Sequence, residues 1–310
     1  MQILTKEEYI KIFQPKSFLL TGLYPFDFEI MKSGLPSSRF IILSGESGAG
    51  KSTFIIHLLK KLYNENYEIY IIDTEGAFSF GFEDFNFKAV DINCIEELFE
   101  FFSSLEDLNK KVFVWDTITN TPTKKMLKGE DFGIAEQSRV LSMFFKAITY
   151  RILKSDCFFF GVLEKREQIQ PFKPAIDQFF SGVGNSVKAV PSILLYFYST
   201  KEDIENSIFK VSITAYKNRF GKTYHKAEVF MQGGKGYLEK ETFLNYLKNQ
   251  AEKDGRNYVF DKENPVFKNI DFSILDIEIK DNKIRLSKKQ LDDLIDIIFA
   301  QIYTRYLIRV

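Results

Sequence analysis

The sequence predicts an α/β fold, a mainly parallel central sheet flanked by helices, with a short N-terminal helix and a small C-terminal α-rich extension. Three observations carry that prediction. Short apolar runs of strand length recur at residues 40–43, 68–72, 111–115 and 157–163. Stretches with helical apolar spacing lie between them, the alternation expected of helices packed on a parallel sheet. Hydrophobic residues make up 45% of the 310, enough to fill one large core.

Taken in order, Thr5-Lys6-Glu7-Glu8 is a capping-box pattern ahead of Tyr9, Ile10 and Phe13. It predicts a short helix that Pro15 ends. Residues 40–43 run as a strand into a glycine-rich turn. Residues 53–63 place Phe54, Ile55, Leu58, Leu59 and Leu62 on one helical face. The strand at 68–72 ends on Asp73, and Ile95, Leu98, Phe99, Phe102 and Leu105 recur at helical spacing. The strand at 111–115 ends on Asp116, a long helix is expected over 134–153, and 157–163 is another strand. Residues 192–198, 209–215 and 227–231 read as strands with few helices between them, so that edge of the sheet is expected to turn antiparallel. After Gly233-Gly234-Lys235-Gly236 the composition shifts. Residues 242–253 read as helix and 255–271 as polar turns. Ser287-Lys288-Lys289-Gln290 is a second capping box, opening a helix with Leu291, Leu294, Ile295, Ile298 and Ile302. The expected division is an arm at 1–17, a core at 18–240 and a C-terminal region at 241–310.

Charge excludes little. Lys+Arg and Asp+Glu are both 42, so any basic surface must be local. The excess of Phe (33) and Tyr (15) reads as core filling and codon bias. Cys94 and Cys157 lie in apolar stretches without metal-ligand spacing, as buried thiols in a reducing compartment do. The N-terminus has no signal pattern and no apolar run is long enough to span a bilayer. The expected location is cytoplasmic, with no membrane partner.

Gly45-Glu46-Ser47-Gly48-Ala49-Gly50-Lys51-Ser52 fits GxxxxGK[ST] at every required position, with Thr53 following at the helix start. The glycines let the backbone turn its N–H groups toward a phosphate, and the helix end that follows favours the same anion. Lys51 is expected on the β- and γ-phosphates of ATP and Ser52 on Mg²⁺. The motif follows an apolar strand and opens an amphipathic helix, the context it requires. Asp116, ending its own strand, can hold the magnesium's water shell. Glu75, just past Asp73, can orient or deprotonate an attacking water; a solvated turn acid fits its position equally well.

These residues sit in a wider pattern. Thr21-Gly22, Asp27 and Gly34-Leu35-Pro36 precede the phosphate loop, and Asp73-Thr74-Glu75-Gly76 follows it. Residues 18–240 resemble the RecA-like P-loop ATPases, which include RecA itself, phage RecA-type recombinases and the RadA and DnaB types. The resemblance implies that Glu75 is the general base. Lys217-Asn218-Arg219-Phe220-Gly221 resembles a block whose cations, here Lys217 and Arg219, reach a neighbouring subunit's γ-phosphate. Gly184-Asn185-Ser186-Val187-Lys188 is similar to the end of the second DNA loop of RecA. One departure stands out: Glu164 occupies the strand end where such proteins usually carry Gln.

Two segments are candidates for DNA. Residues 120–131 hold Lys124, Lys125 and Lys128, and residues 165–185 hold Lys165, Arg166 and Lys173 among Phe172, Phe179 and Phe180, ending near Asn185. Cations neutralise phosphates and aromatics stack on bases. Three functions stay open. One is an ATP- and Mg²⁺-dependent recombinase in filaments on single-stranded DNA, with double-stranded DNA as a second partner and the N-terminal helix packed on the adjacent subunit. The others are a ring-forming helicase or branch-migration ATPase, a hexamer, and a signalling ATPase of the KaiC type.

Overall fold

Four parallel strands form the centre of the molecule: β3 (Arg39–Gly45), β4 (Glu68–Asp73), β6 (Lys111–Asp116) and β7 (Cys157–Glu164). The computed structural model describes residues 3–76, 78, 84–130, 134–164, 184–267, 277–304 and 306–310. Around the four lie β5 (Lys88–Ala89), β8 (Ile193–Asp203), β9 (Ile208–Asn218), β10 (His225–Gln232) and β11 (Gly236–Tyr237). The order is β11-β10-β9-β8-β3-β7-β6-β4-β5. Pairing is parallel from β8 through β5 and antiparallel from β8 outward to β11, so the sheet does change direction at the expected edge.

Period-two alternation explains how Phe-rich strands serve both faces. In β7, Phe158 and Phe160 enter the layer beneath helix α2 (Lys51–Asn64), together with Phe54, Leu58 and Leu62. Phe159, between them, enters the opposite layer with Phe102 of α3 (Ile95–Ser104) and Phe144 and Phe145 of α5 (Ile134–Lys154). Helix α1 (Lys6–Phe13) starts at the predicted capping box, with Thr5 Oγ1 accepting from Glu8 N–H at 3.2 Å. Within the chain, Phe13 lies 5.9 Å from Tyr150 of α5.

The C-terminal region differs from expectation. Besides its helices it carries a sheet: α7 (Glu239–Gln250) and α8 (Lys288–Ile302) cover four antiparallel strands, ordered β12-β13-β15-β14. These strands are β12 (Glu252–Asp254), β13 (Asn257–Asp261), β14 (Glu278–Lys280) and β15 (Lys283–Leu286). The stretch read as polar turns thus contains β13, whose Tyr258 and Phe260 face a third core with Ile284, Leu286, Leu291 and Leu294. Helix α7 also ends before β12, because Ala251 is extended. The chain then returns: β16 (Leu307–Arg309) pairs antiparallel with β1 (Ser17–Leu19), which pairs with β2 (Leu35–Pro36). Among the described residues no helix is long and apolar enough to cross a membrane.

Candidate functional site

Parallel register brings the chemistry to one edge. Gly45 aligns with Glu164 on one side and Phe197 on the other, and Asp73 aligns with Asp116. The carboxyl ends of β3, β4, β6 and β7 therefore meet around one cavity of about 240 Å³, lined among others by Ser47, Lys51, Ser52, Glu75, Asp116 and Glu164.

The turn at 45–52 is held by close main-chain approach. A Cβ at Gly45 would overlap the Phe197 carbonyl of β8. Gly50 caps α2 at φ 91°, and a Cβ there would stand 2.8 Å from Tyr237 Oη. Lys51 Nζ folds back to donate to the carbonyls of Gly45 (3.0 Å) and Glu46 (2.8 Å). Burial pulls its pKa down, while Asp116, Glu164, Glu75 and Glu46 pull it up. The first N–H groups of α2 have no intrahelical acceptor, so this end of the helix can serve an anion.

Ser52 Oγ donates to Asp116 Oδ2 at 3.0 Å. Asp116 is only 2% exposed. Burial pushes its carboxyl up to about 6; the Ser52 hydroxyl and Lys51 oppose the rise, and Glu75 and Asp73 add to it. Glu75 Oε1 accepts from Thr117 Oγ1 (2.9 Å) and Asn120 Nδ2 (2.6 Å). Asp73 shapes the turn that presents Glu75, accepting the N–H groups of Glu75 (3.0 Å) and Phe78 (2.9 Å). Glu164 faces the same cavity, its N–H donating to Thr119 Oγ1 at 3.1 Å and its carboxylate accepting from Asn120 Nδ2 at 3.3 Å.

Among the described residues, the carboxylates of Glu75, Asp116 and Glu164 thus surround a cavity to which Lys51 brings the ammonium group. A polyphosphate would enter only with added positive charge. The adjacent Ser52 and Asp116 oxygens fit Mg²⁺, which takes one or two protein oxygens and completes its shell with water and phosphate. Among the described residues no group of three or more His, Cys, Asp or Glu is arranged to hold a metal ion alone.

A second cavity, about 410 Å³, shares Thr53 and Met231 with the first and is walled by His57, Lys60, Asp84 and the Gln232–Gly236 turn. The sequence flagged those glycines only as a change in composition. Their role in a cavity wall depends on β11 lying beside α2, which no local pattern announces.

Lys217 and Arg219 lie at the opposite edge of the sheet. Lys217 pairs with Leu194, three positions before Phe197 and so roughly 10 Å down the strand from the level of Gly45. Its Nζ donates to the carbonyls of Lys188 (2.9 Å) and Ala189 (2.7 Å), at the end of the short helix α6 (Ser186–Ala189). Arg219 is exposed and lines another cavity of about 410 Å³ with Tyr9, Phe13 and Arg39. Part of the five-residue block has a packing explanation. Buried Asn218 donates to Ile30 O (3.2 Å) and accepts from Phe220 N–H (2.9 Å), and the Phe220 ring sits under Arg39.

Four of the expected DNA residues lie among the described ones. Lys124 and Lys125, on the short helix α4 (Lys124–Leu127), are exposed and pair with Glu100 (3.4 Å) and Glu136 (3.8 Å). Lys128 is exposed just beyond that helix, and Asn185 is exposed at the start of α6. Lys165, Arg166, Phe172, Lys173, Phe179 and Phe180 lie outside the described residues.

No protein-family model matches the chain. It is similar to "DNA repair protein recA homolog 3, mitochondrial" of Arabidopsis thaliana, at 22% identity over 234 residues, 70% of this chain and 53% of that protein. It is similar to "Protein RecA" of Chlorobium chlorochromatii, at 24% over 235 residues, 70% of this chain and 64% of that protein. For "Protein RecA" of Chlorobium limicola the figures are 23% over 235 residues, 70% and 65%. The chain therefore covers less than two thirds of the length of each. A large, mostly parallel sheet flanked by helices is compatible with a RecA-like core, and the chain is distantly similar to RecA proteins.

Proposed function

We propose that this chain is an ATP-dependent DNA recombinase that assembles as a filament on single-stranded DNA. The observation that carries the reading is the meeting of Lys51, the Ser52–Asp116 pair and Glu75 around one cavity at the carboxyl edge of the sheet. Distant similarity to RecA proteins directs that site toward DNA. In this reading the phosphates of ATP occupy the first cavity, and its base and ribose the second. Lys51 exchanges its two carbonyl partners for phosphate oxygens. Ser52 and Asp116 would hold Mg²⁺, which would supply positive charge against the phosphates. Glu75, aimed by Thr117 and Asn120, takes the proton of the attacking water.

The position of Lys217 and Arg219 on the opposite edge fits action on a neighbouring copy's phosphate, which makes hydrolysis depend on assembly. Single-stranded DNA is the first partner to test. In the C-terminal sheet Lys283 and Arg285 are already paired with Glu252 (2.9 Å) and Asp254 (2.8 Å), which weakens the case for that sheet gripping a duplex.

The test is electron microscopy of the protein with single-stranded DNA, magnesium and a non-hydrolysable ATP analogue. Continuous helical filaments are expected. Closed rings would replace the recombinase with a ring ATPase, and no assembly at all would remove both.

A further inference from the structure

We infer that Asn120 is a positioning residue, whose single amide group holds Glu75 in its working orientation and keeps the facing Glu164 carboxylate from displacing it. The inference rests on the reading of the cavity as an ATP-hydrolysing site.

Asn120 Nδ2 is shared by two carboxylates, Glu75 Oε1 at 2.6 Å and Glu164 Oε2 at 3.3 Å. An amide NH₂ carries two donors and no net charge, so it can sit between two carboxylates and donate to both. Without it, two carboxylates within reach of one nitrogen would repel across the mouth of the cavity. Among the described residues Glu75 would keep the Thr117 hydroxyl (2.9 Å), one donor that leaves its carboxylate free to swing. Its N–H bond to Asp73 fixes the main chain, not the carboxylate. A base that swings spends less time aligned with water, and misplacement of about 1 Å can cost orders of magnitude in rate.

The contact also joins two distant parts of the chain. Asn120 follows β6 and leads into α4, where Lys124 and Lys125 stand; Glu164 is the last residue of β7. Their backbones are fixed nearby, because Glu164 N–H donates to Thr119 Oγ1. The amide is thus carried on a braced frame, as a positioning group must be.

The experiment measures kcat and KM for ATP hydrolysis, with single-stranded DNA present, in wild type, Asn120→Ala, Asn120→Asp, Glu164→Gln and the Asn120→Ala/Glu164→Gln pair. Asn120 is exposed, so the variants should fold; thermal unfolding checks this. Asn120→Ala is expected to lower kcat about tenfold with KM held within about twofold, since no phosphate contact is lost. Asn120→Asp should be worse than Ala, because it puts a further negative charge between the two carboxylates. The double variant should regain most of the lost kcat, because Glu164→Gln restores an amide donor and removes the opposing charge. Equal loss in the Ala and Asp variants without rescue would reduce Asn120 to a structural role and overturn the inference, as would unchanged kcat in Asn120→Ala. A wild-type protein with no ATPase activity is a separate outcome, which overturns the site reading itself.

Discussion

Asp116 sits where stability and chemistry oppose each other, and Asp116→Asn separates them. Burial raises its carboxyl from 3.8 to about 6 in the folded chain. Between those values the folded chain keeps a proton that the unfolded chain has released, so stability falls as pH rises through the window. The contribution is fully present below about pH 4 and lost by about pH 6; a rise of about two units corresponds to about 3 kcal/mol. The group is 2% exposed, so solvent screening removes little of this. Asn is close in shape, neutral at all these values, and keeps an oxygen to accept the Ser52 hydroxyl. Without Mg²⁺ or nucleotide, Asp116→Asn should therefore match wild type near pH 4 and exceed its stability by up to about 3 kcal/mol at pH 7.5. Urea unfolding can be followed on Trp115, the sole tryptophan, which is fully buried and donates to Thr121 Oγ1 at 2.8 Å. The same variant should bind Mg²⁺–ATP more weakly, since an amide oxygen attracts the cation less than a carboxylate does. A variant-minus-wild-type difference that stays flat from pH 4 to 7.5 would refute the reasoning.

Two further changes test the turn and the trans-acting cation. Gly50→Ala forces an L side chain to φ 91° and against Tyr237 Oη, so a loss of about 2–3 kcal/mol is expected in thermal or urea unfolding, with weakened nucleotide binding; wild-type stability would mean the turn relaxes without penalty. Arg219→Ala removes an exposed side chain, so stability should hold within about 0.5 kcal/mol and nucleotide binding should persist, while hydrolysis in DNA-bound assemblies falls about a hundredfold or more. Wild-type turnover in those assemblies would exclude a trans-acting role.

The central strands were legible because each carries an unbroken apolar run that ends at a residue with a visible task. Strand β3 ends at Gly45, β4 at Asp73 and β6 at Asp116. Buried on both faces, such strands need no alternation and leave a strong local signal. The C-terminal sheet was illegible for the opposite reason. In β13 only Tyr258 and Phe260 face the core, and flanking Asn257 and Asp261 mimic turn chemistry. Asn120 was seen only as the start of a loop. Its link to Glu75 spans 45 residues and to Glu164 spans 44, and exists only because β4, β6 and β7 lie side by side. Glu164 was noticed as a departure, but its place opposite Gly45 came from strand register.

The far end of α2 suggests why the C-terminal region matters to a site it does not touch. One turn and two turns beyond Thr53, His57 and Lys61 enter a partly buried polar cluster. Lys61 Nζ meets Glu239 Oε1 at 2.6 Å, and Tyr306 Oη donates to Glu239 Oε2 at 2.9 Å. His57 Nε2 lies 2.6 Å from Thr21 O, and burial and the neighbouring Lys61 hold its pKa near 4, so it is neutral. Asp27 accepts from Thr21 N–H and Gly22 N–H, both 2.9 Å, and from Tyr303 Oη at 3.1 Å. Each partner of α2 here comes either from the segment before β2 or from residues after β11. Buried polar groups of this kind contribute through geometry, because every alternative placement leaves one of them unsatisfied. Helix α2 is therefore fixed at one end by the Gly45–Ser52 turn and at the other by a lock that closes only when Tyr303 and Tyr306 are in place. The N-terminal end of a rigid helix cannot shift without disturbing that lock, and the C-terminal segment is accordingly part of what positions Lys51 and Ser52.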